Sequence, residues 1–419
     1  MTNVKKAIII GGGPAGLLAA LRLQRSNGIH PVVYEIRSET TTLGGAIGIP
    51  SNGLRLLDRL GLYHKLAARG ALTSAVVIHS LQGSVVGTMD MVSWSKDKTG
   101  FGYLRIKRTD LMDVLLEATA EAKIPILYGK RLAKIEDGAN EVTAIFADGT
   151  QDSADLVLGC DGIHSAVRKL YVDPDCIPEY SGIANMYSMV STANLPPSAA
   201  AIDQLNATLT TDGLFAVSPA TNARDTLYWF FSREVPMPET HDVRDGWEHR
   251  SQSEVQNAIK MMLGLFGDAD SDWTNLIRDI VKSTDVIRFY PVYKLPPGRP
   301  WCKGRCLILG DAAHAMPPHA SQGVSMAIED IFLLSKALQN DLPLHGSLQA
   351  FEKKRKIRTE EMLRTAERNG TIREKVPQWR LKANEFFMRG GLWVYETANL
   401  GKLGIGQKAL AYDVEEEDI

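Results

Sequence analysis

Short, unbroken apolar runs recur along the chain, at 7–10, 32–34, 156–160 and 306–309. Runs without alternation predict strands buried on both faces of a parallel sheet. Between them the apolar spacing lengthens to that of a helix. Leu54, Leu56, Leu57 and Leu60 predict a helix over 52–60, stopped by Gly61. Leu111, Val114, Leu115 and Ala118 predict another over 109–122, with Thr109 as N-cap and Asp110 and Asp113 suited to the dipole. Further helices are predicted over 253–265, 323–339 and 353–369. Residues 141–147 followed by Asp148-Gly149 read as a hairpin.

A third pattern fills 178–285. Short strands at 183–190, 207–211, 214–217 and 226–232 are punctuated by Pro, Asn, Asp and Gly. Residues 73–91 have the same character. The chain therefore divides into an α/β fold built from 1–72, 101–177 and 286–365, with β-rich material at 73–100 and 178–285. Residues 366–419 form a C-terminal helical segment ending in an acidic run.

The first strand leads directly into Gly11-Gly12-Gly13-Pro14-Ala15-Gly16. Gly11 supplies a tight turn, Gly13 a close backbone approach to a pyrophosphate, and Gly16 helix–strand packing. The helix that follows aims free N–H groups at the phosphates. Glu35 closes the second strand at the spacing of a carboxylate for a ribose hydroxyl. Strand, loop, helix, strand and acid in register predict dinucleotide binding.

Charge adds exclusions. With 47 basic and 49 acidic residues, nothing favours nucleic acid. No apolar stretch reaches the roughly 18–20 residues of a membrane span. The aromatic stretch 386–394 carries Arg389 and reads as a packed or partner-facing helix. The run 415–418 reads as a solvated tail. Cys160, Cys176, Cys302 and Cys306 have no zinc spacing, and His314 and His319 lack a third ligand, so no metal site is predicted. A reducing, cytoplasmic setting is expected.

Two more motifs follow buried strands: Asp161-Gly162-Ile163-His164-Ser165-Ala166-Val167-Arg168, and Gly310-Asp311-Ala312-Ala313-His314 leading to Gln322-Gly323-Val324. In this order, the three motifs resemble those of the single-component (class A) FAD-dependent aromatic hydroxylases, relatives of salicylate and para-hydroxybenzoate hydroxylase, across about residues 5–370. The resemblance implies a Rossmann-like FAD-binding fold of the GR2 type with an inserted β-rich substrate domain. It implies non-covalent FAD held by Gly11, Gly13, Ala15, Gly16, Glu35, Gly48, Arg108, Asp161, Asp311, Gly323 and Val324. NAD(P)H would serve as transient reductant. O2 would react through a flavin C4a-hydroperoxide to hydroxylate or epoxidise an aromatic or electron-rich small molecule, in a monomer or homodimer.

The sequence departs from that family at two places. The usual Gly-Gln-Gly with a later Asn is here Ser321-Gln322-Gly323-Val324-Ser325, and Tyr187 stands near the family's arginine in the first strand of the substrate sheet. In 226–232, alternation separates Tyr228, Phe230 and Ser232 from Leu227, Trp229 and Phe231, and the hydroxyl-bearing face is expected to meet the ligand. Tyr228 and Tyr187 are the catalytic candidates, with Phe215 and Met189 as lining. Residues 44–50 are expected to be mobile backbone beside the flavin. The pocket is expected to be weakly charged, suiting an apolar substrate. A flavin oxidase or dehydrogenase, and a non-redox FAD-containing cyclase or ligand-binding protein, are the alternative functions.

Overall fold

The structure, a computed structural model, describes residues 4–40, 44–236, 252–267 and 269–419. The four apolar runs lie side by side. Lys6–Ile10 is flanked in parallel by His30–Tyr34 and Leu156–Gly159, and Cys306–Ile308 pairs beyond the latter. Ile126–Leu127 on one edge and the antiparallel Cys302–Lys303 on the other complete a six-stranded sheet. Ala7, Ile8 and Ile9 are fully buried, because helices cover the sheet. Pro14–Asn27 packs against both Arg108–Glu121 and Gly323–Ala337. This arrangement is a mixed α/β, Rossmann-like fold.

The helix predicted to be capped by Thr109 begins one residue earlier, at Arg108, and Lys107 is its N-cap without a side-chain bond. The strand Tyr103–Lys107 runs straight into it, leaving no room for a capping turn.

A second, seven-stranded sheet takes its strands in the order 288–294, 179–191, 226–234, 213–219, 205–210, 75–79 and 85–90. Residues 75–90 thus join the later β-rich segment, through parallel pairing of Leu205–Thr210 with Ala75–His79. The strand Arg288–Lys294 lies wholly beyond residue 285, where the β-rich segment was expected to end. Leu227, Trp229 and Phe231 enter a core beneath the helices Gln252–Leu265 and Asp272–Lys282. The second of these helices was not predicted, although its signal is legible. Ser271 and Thr274 form a capping box, and Leu276, Ile277, Ile280 and Val281 make its buried stripe.

A small sheet links the two larger ones. Tyr103–Lys107 pairs with Ala46–Ile49 on one side and Ala71–Thr73 on the other. From Ala46 onward the segment expected to be mobile is therefore a paired strand. The aromatic stretch 386–394 lies within Gln378–Thr397, which packs one side against Val85–Asp90. No helix among the described residues is long and apolar enough to cross a membrane.

The acidic terminus is docked rather than solvated. Asp413 accepts a bidentate pair from Arg59 at 2.9 and 2.7 Å, and Glu415 pairs with Arg22 at 2.9 Å and Arg59 at 2.8 Å. Val414 between them is 1 % exposed. Basic side chains lying far upstream in the sequence neutralise a run that looks solvated on its own.

Candidate functional site

Gly11 adopts φ 111°, and a Cβ there would fall 2.4 Å from the Cys160 carbonyl oxygen. A Cβ on Gly16 would fall 1.9 Å from the Gly11 carbonyl oxygen. Both glycines are thus fixed by backbone packing. Gly13 differs: a Cβ there would meet nothing within 4 Å, so its surface is an open cradle at the start of Pro14–Asn27. Glu35, 8 % exposed, accepts from the Gly12 N–H at 2.8 Å and the Arg37 N–H at 2.9 Å. Its carboxylate is held beside that cradle.

The second motif braces the first and the third. Asp161 Oδ2 accepts from the Ala166 N–H at 2.6 Å, while its buried Oδ1 has no partner. Burial raises the Asp161 carboxyl, against the hydrogen bonds that lower it. Arg168 is 1 % exposed and donates to the carbonyl oxygens of Ala312, at 2.7 Å, and of Ile163.

In the third motif, Asp311 opens a short helical turn after Gly310, which adopts φ 57°. Its residue surface is open to the cleft, yet the cleft walls desolvate the carboxyl. That burial raises it above the ordinary carboxylate range more than His314 and Arg108 draw it down. Behind it, Asp330 accepts from the Gly310 N–H at 2.9 Å and bonds His314 Nε2 at 2.6 Å. Gly323 and Val324 open Gly323–Ala337, so their N–H groups have no intrahelical acceptor. Around that helix start, Asn52 Oδ1, Gln322 Nε2 and Ser325 Oγ are buried without partners.

The seven-stranded sheet turns its other face to this cleft. A Cβ on Gly45 would meet Tyr228 at 2.7 Å and Tyr187 at 3.1 Å, so both rings rest on that backbone. Their centroids are 6.0 Å apart. Met189 stands opposite Tyr228 in the ladder, on the same face. Phe215 lies on the opposite face, fully buried against Trp229 and Phe266, and lines nothing here. It precedes Ala216 by one residue, and that single step places it on the helix-covered side. Burial raises the Tyr228 hydroxyl, with Arg105 pulling it the other way. Tyr290, which joins this face opposite Asn185, is half exposed to the open cleft, yet desolvation by the cleft walls pushes it up to about 12.

Sequence reasoning missed Tyr103, Arg105 and Tyr290. Strand alternation along 103–107 is the signal that puts the first two on one face. Gly48 lies under the Tyr103 hydroxyl, 1.8 Å from where a Cβ would sit. Arg105 is 6 % exposed, so the cleft carries a buried cation where weak charge was expected.

The FAD-binding domain family matches residues 4–292 and 294–366. The chain is 28 % identical over 384 residues to 6-hydroxynicotinate 3-monooxygenase from Pseudomonas fluorescens, covering 90 % of this chain and 95 % of that protein. It is 31 % identical over 353 residues to the putative FAD-dependent monooxygenase YetM of Bacillus subtilis (strain 168), covering 84 % and 89 %. The chain belongs to the FAD-dependent aromatic monooxygenases. The crystal structure of Klebsiella pneumoniae HpxO complexed with FAD and uric acid has the same fold. Its TM-score is 0.80, at 22 % identity and 98 % coverage of each chain.

For this monooxygenase, the open Gly13 cradle and the orphaned polar atoms at the Gly323 helix start fit FAD. One departure from the family pattern acquires a physical meaning. Ser321, in place of glycine, adopts φ 53°, the left-handed region that glycine enters freely and serine enters at a cost of about 1–2 kcal/mol.

Proposed function

We propose that this monooxygenase hydroxylates a small aromatic ring held between the bound flavin and the Tyr187–Tyr228 face of the seven-stranded sheet. The observation that carries this reading is the seating of both tyrosines on Gly45, in the segment that leads to Gly48. FAD, when bound, would supply the redox chemistry that draws on NAD(P)H and O2. The chain supplies position and dryness. The Gly13 cradle and the helix start at Pro14 and Ala15 would receive the pyrophosphate, with Gly11 and Gly16 shaping the turn and the helix packing. Glu35 would take a ribose hydroxyl, Arg108 and Asp311 the phosphate–ribityl stretch, and the N–H groups of Gly323 and Val324 the electron-rich edge of the ring system.

Tyr228 orients the substrate. Its raised hydroxyl stays protonated at neutral pH, so it serves as a hydrogen-bond donor rather than as a base. Tyr187 packs beside it. The β-rich segments 73–100 and 178–294 act as the substrate-binding unit. The free cysteines suit a reducing cytoplasm.

The test is to purify the protein, release and identify its flavin, and screen hydroxylated pyridines and benzoates. Substrate-stimulated NAD(P)H oxidation and a product heavier by one oxygen are expected. Glu35→Ala and Asp311→Ala should each weaken FAD binding about tenfold to a hundredfold, the worth of a hydrogen bond to a charged group. A folded protein that takes up no FAD would refute the reading.

A further inference from the structure

Five arginines of the described residues are buried to 7 % exposure or less: Arg105, Arg168, Arg355, Arg358 and Arg373. Four of them hydrogen-bond to protein, although the Nε atoms of Arg168, Arg358 and Arg373 are themselves buried without a partner. Arg168, Arg358 and Arg373 donate to backbone carbonyls, and Arg355 lies between Glu329 and Asp330. Arg105 shares that orphaned Nε, and of the five it is the one whose side chain makes no hydrogen bond or ion pair among the described residues. Its guanidinium carbon lies over the Tyr103 ring, 5.5 Å from the centroid. A buried charge left unpaired is costly, and a native site keeps one where a ligand completes it.

The ladder shows where that ligand would sit. Arg105 is opposite Gly48 on one side and Ala71 on the other. Neither neighbour has a side chain long enough to cover the guanidinium. Tyr103, two residues earlier on the same face, leans its hydroxyl over Gly48. Arg105 also lies close enough to Tyr228 for its charge to act on that hydroxyl. The guanidinium therefore borders the volume between Tyr228 and Gly48.

We propose that Arg105 is the specificity-determining cation of the substrate pocket, pairing with a carboxylate carried by the aromatic ring. This inference rests on the proposed placing of the substrate beside Tyr228. The cation comes from the small sheet rather than from the strand that carries Tyr187. A planar guanidinium suits bidentate carboxylate recognition.

The experiment uses the FAD-loaded protein and matched pairs of acid and carboxamide: 6-hydroxynicotinate, salicylate and 4-hydroxybenzoate, each against its neutral amide. Binding is read from perturbation of the flavin absorbance. At least one acid should bind about tenfold to a hundredfold more tightly than its amide. Arg105→Met should abolish that preference by weakening the acid alone, and Arg105→Lys should restore part of it. FAD affinity should be unchanged in both variants. Equal affinity for acid and amide in every pair, no binding of any acid, or a preference that survives Arg105→Met would overturn the proposal. A tenfold loss of FAD affinity in Arg105→Met with acid preference intact would also overturn it, assigning the guanidinium to the cofactor. Failure of the broader functional reading looks different, because the wild-type protein would then not take up FAD at all.

Discussion

His319 shows how much a single side chain can encode. It sits in the turn just before the Gly323 helix start, with both ring nitrogens buried and neither in a well-formed hydrogen bond. Burial, reinforced by Arg373 and only partly opposed by the Ala366 backbone, lowers its pKa to about 3. The unfolded chain binds a proton at about 6.5 and the folded one does not, so stability is full above that value and is lost as pH falls. At about 1.4 kcal/mol per pH unit, roughly 2 kcal/mol should be gone by pH 5. His319→Gln should remove this part of the acid sensitivity. Urea denaturation of the flavin-free wild type and variant at pH 7.5 and 5 measures it. An equal loss in both would show that the ring is solvated or paired. The sequence displayed this histidine but not its burial, because the element that closes over it, Leu344–Gly370 with Arg373 beyond, is remote in the chain. Phe215 was misplaced for the related reason that one strand position decides which core a ring enters.

At the scale of elements, the site depends on a buried ionic strut behind the third motif. Arg355, on Leu344–Gly370, donates to Asp330 at 2.8 Å and Glu329 at 2.9 Å, both on Gly323–Ala337. Glu329 in turn accepts from Asn52 at 2.7 Å, and Asp330 holds Gly310 and His314. All three charged side chains are fully buried. Burial raises the Asp330 carboxyl, but His314, Arg355 and the Gly310 N–H outweigh it and leave it below the usual range. Its stabilisation is present above about pH 4 and is lost as pH falls through its lowered value. Arg355→Met removes the cation shared by two buried carboxylates, leaving Glu329 with Arg358 at 3.5 Å and Asp330 with His314, and should cost about 3–5 kcal/mol. FAD affinity should fall with it, because Asp311 follows directly after Gly310. Thermal melting and flavin titration measure both effects, and an unchanged melting temperature would show that the strut is redundant. The elements themselves were legible, since unbroken apolar runs and 3.6-residue stripes are local. The strut was not, since its carboxylates and arginine read as ordinary helix-surface charges until two helices are packed face to face.

The whole molecule is closed by its two C-terminal pieces, and they differ in kind. Along Gln378–Thr397, Trp379, Phe386, Phe387 and Trp393 are all at least 65 % exposed. The final residues do the opposite. Asp413 and Glu415 bridge Arg22 of Pro14–Asn27 to Arg55 and Arg59 of Ser51–Arg59, and Lys336 of the Gly323 helix donates to the carbonyls of Glu415 and Glu417 at 2.8 Å each. Three helices that frame the FAD cleft are thus tied together by one short terminal segment. Deleting 413–419 removes the buried Val414 and the enclosed Asp413 pairs, and should cost about 2–4 kcal/mol. Part of that contribution should vanish in about 1 M salt, where the partly exposed pairs are screened. Phe386→Ala with Trp393→Ala removes far more apolar surface, yet should leave the melting temperature unchanged, because those rings are already in water. Comparing the melting temperatures of these two variants with the parent, at low and high salt, decides the point. A deletion as silent as the double alanine variant would return the terminus to the solvated tail that its composition suggests.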